Sequence, residues 1–284
     1  SMASMHESAS PTFRACAAAL TGDQGHRVWS LIVTIFGDLA QGKGDAISGP
    51  LLSQLTGLMG VRPEAMRVAL HRLRKDGWIE SLREGRASTH FLTGYGRAQS
   101  AAASPRIYGT GVPSPDLWHL LIAGDTVGAA RLEAFLQSDD YIALGGQAAL
   151  APGPLPDDHG GLLGVETGAV AVPDWLRAQI CPEPLRRAYA ECLAAFENVL
   201  DCLDRSPPLT GAEAAALRGL VVHSWRRILL RHPDLPPTFF PEGWPGVAAR
   251  ERFSRIMAAL PVPDLAVLEQ GLTGHDSRRA VLEG

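Results

Sequence analysis

The stretch GVRPEAMRVALHRLRKDGWIESLREGR, residues 60–86, decides the fold of the N-terminal part of the chain. From Pro63 onward its apolar residues recur with helical spacing, and Gly77 ends the run. Proline suits the first helical position because its missing N–H has no helical partner there. A strand follows and turns back at Glu84-Gly85. This order predicts a basic recognition helix followed by a β wing, the form of a winged helix-turn-helix.

Two apolar segments upstream are predicted to form the scaffold for that helix. Residues 26–36 (HRVWSLIVTIF) could form a strand because they are rich in β-branched residues, but their length and spacing favour a helix. Residues 51–59 (LLSQLTGLM) predict a second helix, with Gly60 as its stop. On the third helix, the apolar residues predicted to face these two are Met66, Ala69, Leu70 and Leu73.

The opposite face of the third helix is polar and mostly basic. Arg67 and His71 are one turn apart, so both could enter one major groove. Arginine can bridge O6 and N7 of guanine, and Glu64 could accept a hydrogen bond from N4 of cytosine. The alternative is a face that is only solvated. The residues better suited to phosphate contacts are Arg74, Lys75, Arg83 and Arg86. The full set of predicted DNA-binding residues is Arg62, Glu64, Arg67, Val68, His71, Arg72, Arg74, Lys75, Arg83 and Arg86.

The distribution of charge separates two parts of the chain. The net charge is −4, which taken alone argues against a nucleic-acid partner. Residues 26–100 nevertheless carry ten Lys and Arg against six Asp and Glu, whereas residues 101–284 carry fifteen Arg against twenty-two Asp and Glu. A basic N-terminal module on an acidic body is typical of a DNA reader whose other domains bind something else. A double-stranded DNA operator is therefore the expected partner.

The remaining motifs predict neither an enzyme nor a membrane protein. Apolar runs such as residues 29–36 are too short to span a bilayer, and the first 25 residues lack a secretion signal. The four cysteines contain no C-x-x-C pair, which predicts free thiols in the cytoplasm. No metal-ligand spacing or nucleophile motif is present, so no cofactor, metal or catalytic residue is expected. Residues 37–43 fit G-x-x-x-x-G-K, but Gly44 stands where Mg²⁺ binding needs Ser or Thr, and we predict a loop there.

Composition and hydrophobic period divide the chain into successive parts. Residues 101–105 and 109–115 are linker-like, and the next fifty or so residues show a strand, a helix and short strand candidates. Helical patterns then dominate, and Thr210 with Glu213 predicts a capping box. The predicted parts are a flexible arm over 1–25, a winged-helix DNA-binding domain over 26–104, a small α+β domain over 105–173 and a helical C-terminal domain over 174–284.

Several of these segments resemble one known family. SLIVTIFGD (30–38), the helix-turn-helix over 51–78, GRASTHFLTGYG (85–96) and RIYG (106–109) stand in the order found in PaaX-type repressors. The stretch RRILLRHPDLPPTFFPEGWPG (226–246) resembles the most distinctive segment of that family, an Arg-rich helix end followed by a proline-rich strap. The resemblance covers nearly the whole chain after the arm.

The resemblance implies both an architecture and a function. The architecture is a multi-domain α+β protein with an N-terminal winged helix-turn-helix, a ferredoxin-like central domain and a helical C-terminal domain. The implied function is a homodimeric transcriptional repressor of an aromatic acid (phenylacetate) catabolic operon. An acyl-CoA effector, phenylacetyl-CoA, would release it from its operator.

The proline-rich strap and the arginines before it have two interpretations. The arginines could hold the phosphates of CoA, because guanidinium forks match phosphate oxygens. Alternatively, they pair with acidic residues while the prolines stiffen a strap that docks Trp244, and this second interpretation is favoured. The candidate effector-binding residues are Arg226, Arg227, Arg231 and Trp244.

An enzyme and a protein-interaction scaffold are the two alternatives to a regulator. An enzyme of CoA metabolism with a vestigial helix-turn-helix would need a nucleophile and base pair, which the sequence lacks. A protein-interaction scaffold would show no affinity for duplex DNA.

Overall fold

A computed structural model describes residues 9–20 and 28–272 and shows an α+β protein with two small antiparallel sheets. The chain divides into two compact units. The first draws its described residues from Ser1–Gly109, Ala190–Arg227 and Ala248–Gly284, and the second from Thr110–Tyr189 and Ile228–Val247.

Helix α1, Pro11–Leu20, lies where the sequence predicted a flexible arm. The prediction is wrong for these residues, because Phe13 and Cys16 are fully buried. The backbone N–H of Ser10 also donates to Glu213 Oε1 at 2.6 Å. The Ser- and Ala-rich composition concealed an apolar face with helical spacing. The other residues of the predicted arm, 1–8 and 21–25, lie outside the described residues.

The three helices predicted before the wing are confirmed. They are α2 (Val28–Leu39), α3 (Gly49–Leu58) and α4 (Pro63–Lys75). The loop predicted over residues 37–43 begins only at residue 40, so the prediction is wrong for residues 37–39, where buried Leu39 continues the apolar face of α2. A short strand β1 (Ile47–Ser48) precedes α3. All four apolar residues predicted to face inward on α4 are buried, namely Met66, Ala69, Leu70 and Leu73.

The predicted hairpin is also confirmed. Strands β2 (Ile79–Glu84) and β3 (Ala87–Leu92) pair antiparallel with a two-residue turn, and the sheet order is β1-β3-β2. Helix α5 then runs over Gly94–Tyr108 and includes residues 101–105, which the sequence predicted to be a linker. That prediction is wrong because the alanines favour a helix and Pro105 falls in its last turn, where few backbone bonds are lost.

Long helices contribute most of their residues to the first unit. The predicted capping box opens one of them: Glu213 N–H donates to Thr210 Oγ1 at 3.2 Å, and Thr210 N–H donates to Glu213 Oε2 at 3.1 Å. The rings of Phe196, Trp225 and Phe253 pack together in the core of this unit. The helices are α8 (Glu183–Arg205), α9 (Gly211–Leu229), α10 (Gly246–Ala259) and a last helical stretch over 265–272.

The second unit contains a four-stranded antiparallel sheet, with a helix packed on it through Leu132. The strand order is β5 (Ile142–Ala143), β6 (Ala148–Pro152), β4 (Trp118–Ile122) and β7 (Leu163–Thr167), and the helix is α6 (Thr126–Leu136). The strand, the helix and the next two strands follow one another in the chain as they do in a ferredoxin-like motif. That motif has a second helix before its last strand, and the described residues of this unit do not form one. Residues 153–162, rich in Pro, Gly and Asp, form no helix there. The remaining elements are α7 (Asp174–Ile180) and a 3₁₀ turn (Pro237–Phe239).

Candidate nucleic-acid interface

The ends of α4 are set by local backbone chemistry. Pro63 occupies the first turn, after Arg62 in an extended conformation. At the other end Gly77 has φ +74°, Gly77 N–H donates to the Arg74 carbonyl, and Trp78 N–H donates to the Leu73 carbonyl at 2.9 Å. This pair of bonds is a Schellman motif, which turns the chain sharply from the helix into the hairpin.

Helix α3 and its turn hold α4 in place. Ser48 caps α3 by accepting from Leu51 N–H at 3.1 Å, and Glu269 in turn accepts from both the N–H and the hydroxyl of Ser48. Gly60 has φ +82° in the turn between the helices. Thr56 is buried beneath α4, with its hydroxyl 3.3 Å from Met66 Sδ. The start of α3 is therefore held by its cap, and α3 contacts α4 through Thr56 and Met66.

All ten residues predicted to bind DNA are exposed, and their side chains lie on the outer surface of α4, the residue before it and the hairpin. We call this surface the basic face. Arg67 Nη2 lies 3.2 Å from Glu64 Oε1, a weak pairing because both side chains are about 70% exposed. Val68 is an apolar side chain on this face and is 70% exposed.

Two arginines of the basic face are held by residues that the sequence did not single out. The Arg72 guanidinium lies 4.9 Å from the centre of the Trp29 ring and 3.4 Å from Asp76 Oδ2. Arg74 Nη1 donates to Ser81 Oγ on β2 at 3.2 Å. These contacts join α2, α4 and the hairpin, which are separate segments in the sequence. No local spacing could have predicted them.

His90 on β3 completes a chain of hydrogen bonds behind Arg74. Ser81 Oγ lies 2.7 Å from His90 Nδ1, and Ser88 Oγ lies 3.4 Å from His90 Nε2. The Ser81 hydroxyl accepts from Arg74, and it can donate to Nδ1 when the imidazole is protonated on Nε2 or accept from Nδ1 when that nitrogen carries the proton. Burial, followed by the charge of Arg74, lowers the pKa of His90.

The first unit also contains a buried ion pair that the sequence analysis missed. Arg218 of α9 makes two hydrogen bonds to Asp38 of α2, at 2.8 and 2.9 Å, and the two side chains are only 6% and 1% exposed. The Tyr108 hydroxyl donates to the same carboxylate at 2.7 Å. Burial and this carboxylate raise the pKa of Tyr108. Asp38 ends the 30–38 segment of the family resemblance and Tyr108 lies within the 106–109 segment, so the two segments share a structural network.

The four candidate effector residues are divided between the units. Arg226 and Arg227 belong to the first, Arg231 and Trp244 to the second. The Trp244 ring packs edge-on against Tyr189 of α8, with centroids 5.1 Å apart, as the docked-strap interpretation requires, and it stacks on Phe240 within the strap. Arg226 forms no ion pair within the described ranges, and its Nη1 donates to Thr34 Oγ1 at 3.5 Å. The expected pairing of this arginine with acidic residues is not seen.

In the part of the chain that the structure describes, the cysteines and the acidic residues form no metal site. No group of three or more His, Cys, Asp or Glu side chains could hold a metal ion there. The cysteines are free thiols, and burial raises the pKa of both Cys16 and Cys192 to about 12. Among residues 9–20 and 28–272, no helix is long and apolar enough to cross a bilayer.

Comparison with known proteins connects this interface to a family. Residues 27–96 match the family described as PaaX-like protein, and residues 183–268 match the PaaX-like protein C-terminal domain. The transcriptional repressor PaaX of Escherichia coli (strain K12) is 28% identical over 266 residues, covering 86% of this chain and 84% of that protein. A solved structure, the uncharacterized protein Rv0674 from Mycobacterium tuberculosis, shows 18% identity and a TM-score of 0.44, covering 85% of this chain and 97% of that one.

These matches define the protein as a transcriptional regulator and not an enzyme. The chain belongs to the PaaX-like protein family. The family resemblance found in the sequence is thereby confirmed, and the alternative of an enzyme of CoA metabolism is not favoured.

Proposed function

We propose that this protein is a sequence-specific DNA-binding repressor of an aromatic acid (phenylacetate) catabolic operon, acting in the cytoplasm. The observation that carries the proposal is the basic face, whose residues are all exposed while the other side of α4 is buried in the first unit. A helix so presented, with a hairpin beside it, has the geometry of a winged helix-turn-helix that enters the major groove.

The residues of the basic face take different roles in this proposal. Arg67 and His71 reach base edges, where Arg67 bridges guanine O6 and N7, and Val68 packs on a thymine methyl group. Arg72 and Arg74 are held by the protein and position the helix against phosphates. The remaining members contact phosphates or, for Glu64, a cytosine amino group, and they are Arg62, Glu64, Lys75, Arg83 and Arg86.

Repression follows from occupancy of a promoter by a homodimer. A dimer places two recognition helices on half-sites one helical turn, or a multiple of it, apart. An aryl-acyl-CoA effector, phenylacetyl-CoA, binds better to the conformation in which the two faces no longer match those half-sites, and thereby lowers DNA affinity. The predicted winged-helix (26–104), ferredoxin-like (105–173) and helical (174–284) parts divide these tasks. Candidate effector contacts are Arg226, Arg227, Arg231 and Trp244.

Fluorescence anisotropy on a labelled fragment of the region upstream of the gene tests the proposal. We expect binding that exceeds binding to competitor duplex and that phenylacetyl-CoA relieves. Free phenylacetate and CoA serve as matched controls and should leave the complex intact. If DNA binding is unchanged by phenylacetyl-CoA, the protein is still a DNA-binding regulator but this thioester is not its effector. The absence of specific DNA binding would reject the proposed function. Sedimentation at micromolar concentration checks the dimer.

A further inference from the structure

Glu269 completes the cap of helix α3 from a distant part of the chain. In a capping box, the N-cap hydroxyl accepts from the N–H of the third helical residue, and a Glu or Gln at that third position accepts from the N-cap N–H. Ser48 makes the first of these bonds with Leu51, but a leucine side chain cannot make the second. Glu269 makes it instead, because its Oε1 accepts from Ser48 N–H at 2.9 Å across 221 positions of sequence.

The carboxylate of Glu269 also orients the hydroxyl that caps α3. Its Oε2 accepts from Ser48 Oγ at 2.6 Å, which leaves the oxygen of that hydroxyl to accept from Leu51 N–H. Hydrogen bonds to a carboxylate are stronger than those between neutral groups, and a negative charge is favourable at the start of a helix. Helix α9 shows the local form of the same cap, in which Glu213 serves Thr210. At α3 this task falls to a residue of another segment.

The last helical stretch, residues 265–272, holds Glu269 at this position. Its start is fixed by Asp264, whose Oδ1 accepts from Ala266 N–H at 2.8 Å. Leu268 is buried and lies against Gly211, the first residue of α9. Glu269 is the next residue along the chain. Burial of Leu268 and the contact between Glu269 and Ser48 therefore dock the stretch together.

Contacts run from Ser48 to the basic face by two routes. Along the first, helix α3 packs against α4. Along the second, strand β1 ends at Ser48 and pairs with β3, where Ile47 stands opposite His90. His90 in turn contacts Ser81, the residue to which Arg74 of the basic face donates. The junction that Glu269 holds is thus linked both to the recognition helix and to the hairpin.

We propose that Glu269 is a positioning residue for DNA recognition, and that the last helical stretch is a brace on α3, α4 and the hairpin. When the brace is docked, its carboxylate fixes the start of α3 and so the setting of the basic face. When the brace leaves, a smaller fraction of the molecules holds the binding conformation, and the apparent DNA affinity falls by that fraction. The inference rests on the proposed function and adds control of the basic face by a segment far from it in sequence.

Duplex binding tests this role, because positioning and simple electrostatics predict opposite signs. Loss of a carboxylate lowers the repulsion between protein and DNA, which alone would leave binding unchanged or make it tighter. We expect Glu269→Ala to weaken binding to the upstream fragment about fivefold, the usual effect of one lost cap, in fluorescence anisotropy. Glu269→Gln keeps one acceptor oxygen and should fall between the two. The matched control, Glu191→Ala on an exposed glutamate of the same unit, should not weaken binding.

Hydrogen exchange of the free protein tests the brace without DNA. Glu269→Ala should speed exchange of the amides at the start of α3, Leu51 among them, whereas the start of α9 keeps its own capping box and should not change. Ser48→Ala should also speed exchange at α3. Because the two residues share one contact, the double variant should show less than the sum of the two single effects. Thermal unfolding checks that each variant folds.

The inference is overturned if folded Glu269→Ala binds the upstream fragment as tightly as the natural protein, or if its α3 amides exchange at the natural rate. A failure of the proposed function would look different. The natural protein itself would then show no specific duplex binding, while Glu269→Ala would still speed exchange at α3. That result would reject the role of Glu269 in DNA recognition through the function, and not through the contact.

Discussion

At the scale of single residues, the arginines of the molecule differ in what holds them. Arg218 is buried and paired, Arg72 and Arg74 are anchored at the surface, and Arg67 is exposed with one weak partner. The same side chain thus stabilises the fold in one place and remains available to a ligand in another. Burial and partners decide the role, and residue type alone does not.

The buried pair predicts a large loss of stability on substitution of its acid. Asp38→Ala leaves Arg218 charged and nearly dry, so the free energy of unfolding should fall by about 3–5 kcal/mol in urea titrations. Asp201→Ala removes an exposed pair with Arg205 and should cost less than about 1 kcal/mol. An equally small effect of Asp38→Ala would show that the pair contributes little.

His90 predicts a pH dependence of stability. Its pKa is lowered in the folded state, so the unfolded chain takes up the proton first as pH falls below about 6.5. Protonated Nδ1 would also have to donate to Ser81, which is oriented by Arg74. The contribution of neutral His90 to the free energy of unfolding is therefore full above that pH, and it is lost as the pH falls toward the pKa of His90 in the folded state. Urea unfolding at about pH 7.5 and about pH 5.5 should show a smaller decrease for His90→Gln than for the natural protein, and equal decreases would contradict the assignment.

At the scale of elements, the end of α4 sets the angle at which the hairpin leaves. Gly77 adopts φ +74°, a conformation that costs a residue with a side chain about 1–2 kcal/mol. We expect Gly77→Ala to lower the free energy of unfolding by that amount and to weaken DNA binding. Gly94→Ala, at the start of α5 where φ is not positive, should be neutral or stabilising. Equal effects of the two substitutions would show that the cap is unimportant.

The same elements show how far the sequence could predict the fold and the site. Helix α4 and its hairpin follow from period, proline and glycine, which act within a few residues. Helix α1 was missed because its stability comes from contacts with distant residues such as Glu213. The exposed face of α4 was predictable, but the Trp29 contact with Arg72 and the Asp38 pair with Arg218 were not. Both depend on segments that only the folded chain brings together.

At the scale of the whole molecule, the charge of the chain is divided between its parts. The N-terminal segment over 26–100 is basic, although the protein as a whole carries a net charge of −4. Such a distribution favours one orientation of approach to DNA, because the acidic remainder is repelled by phosphate. Affinity should therefore fall steeply with salt, by a slope close to −0.9 for each phosphate contact.

The most direct test of the central claim is the salt dependence of duplex binding by the natural protein and by Arg67→Ala with Arg86→Ala, measured by fluorescence anisotropy on the upstream fragment. Loss of the base contact should cost about 1–3 kcal/mol and reduce the preference over competitor duplex. Loss of the phosphate contact should make the slope shallower by about 0.9. If the double variant binds the duplex as tightly and as selectively as the natural protein at moderate salt, the basic face is not the DNA-binding surface.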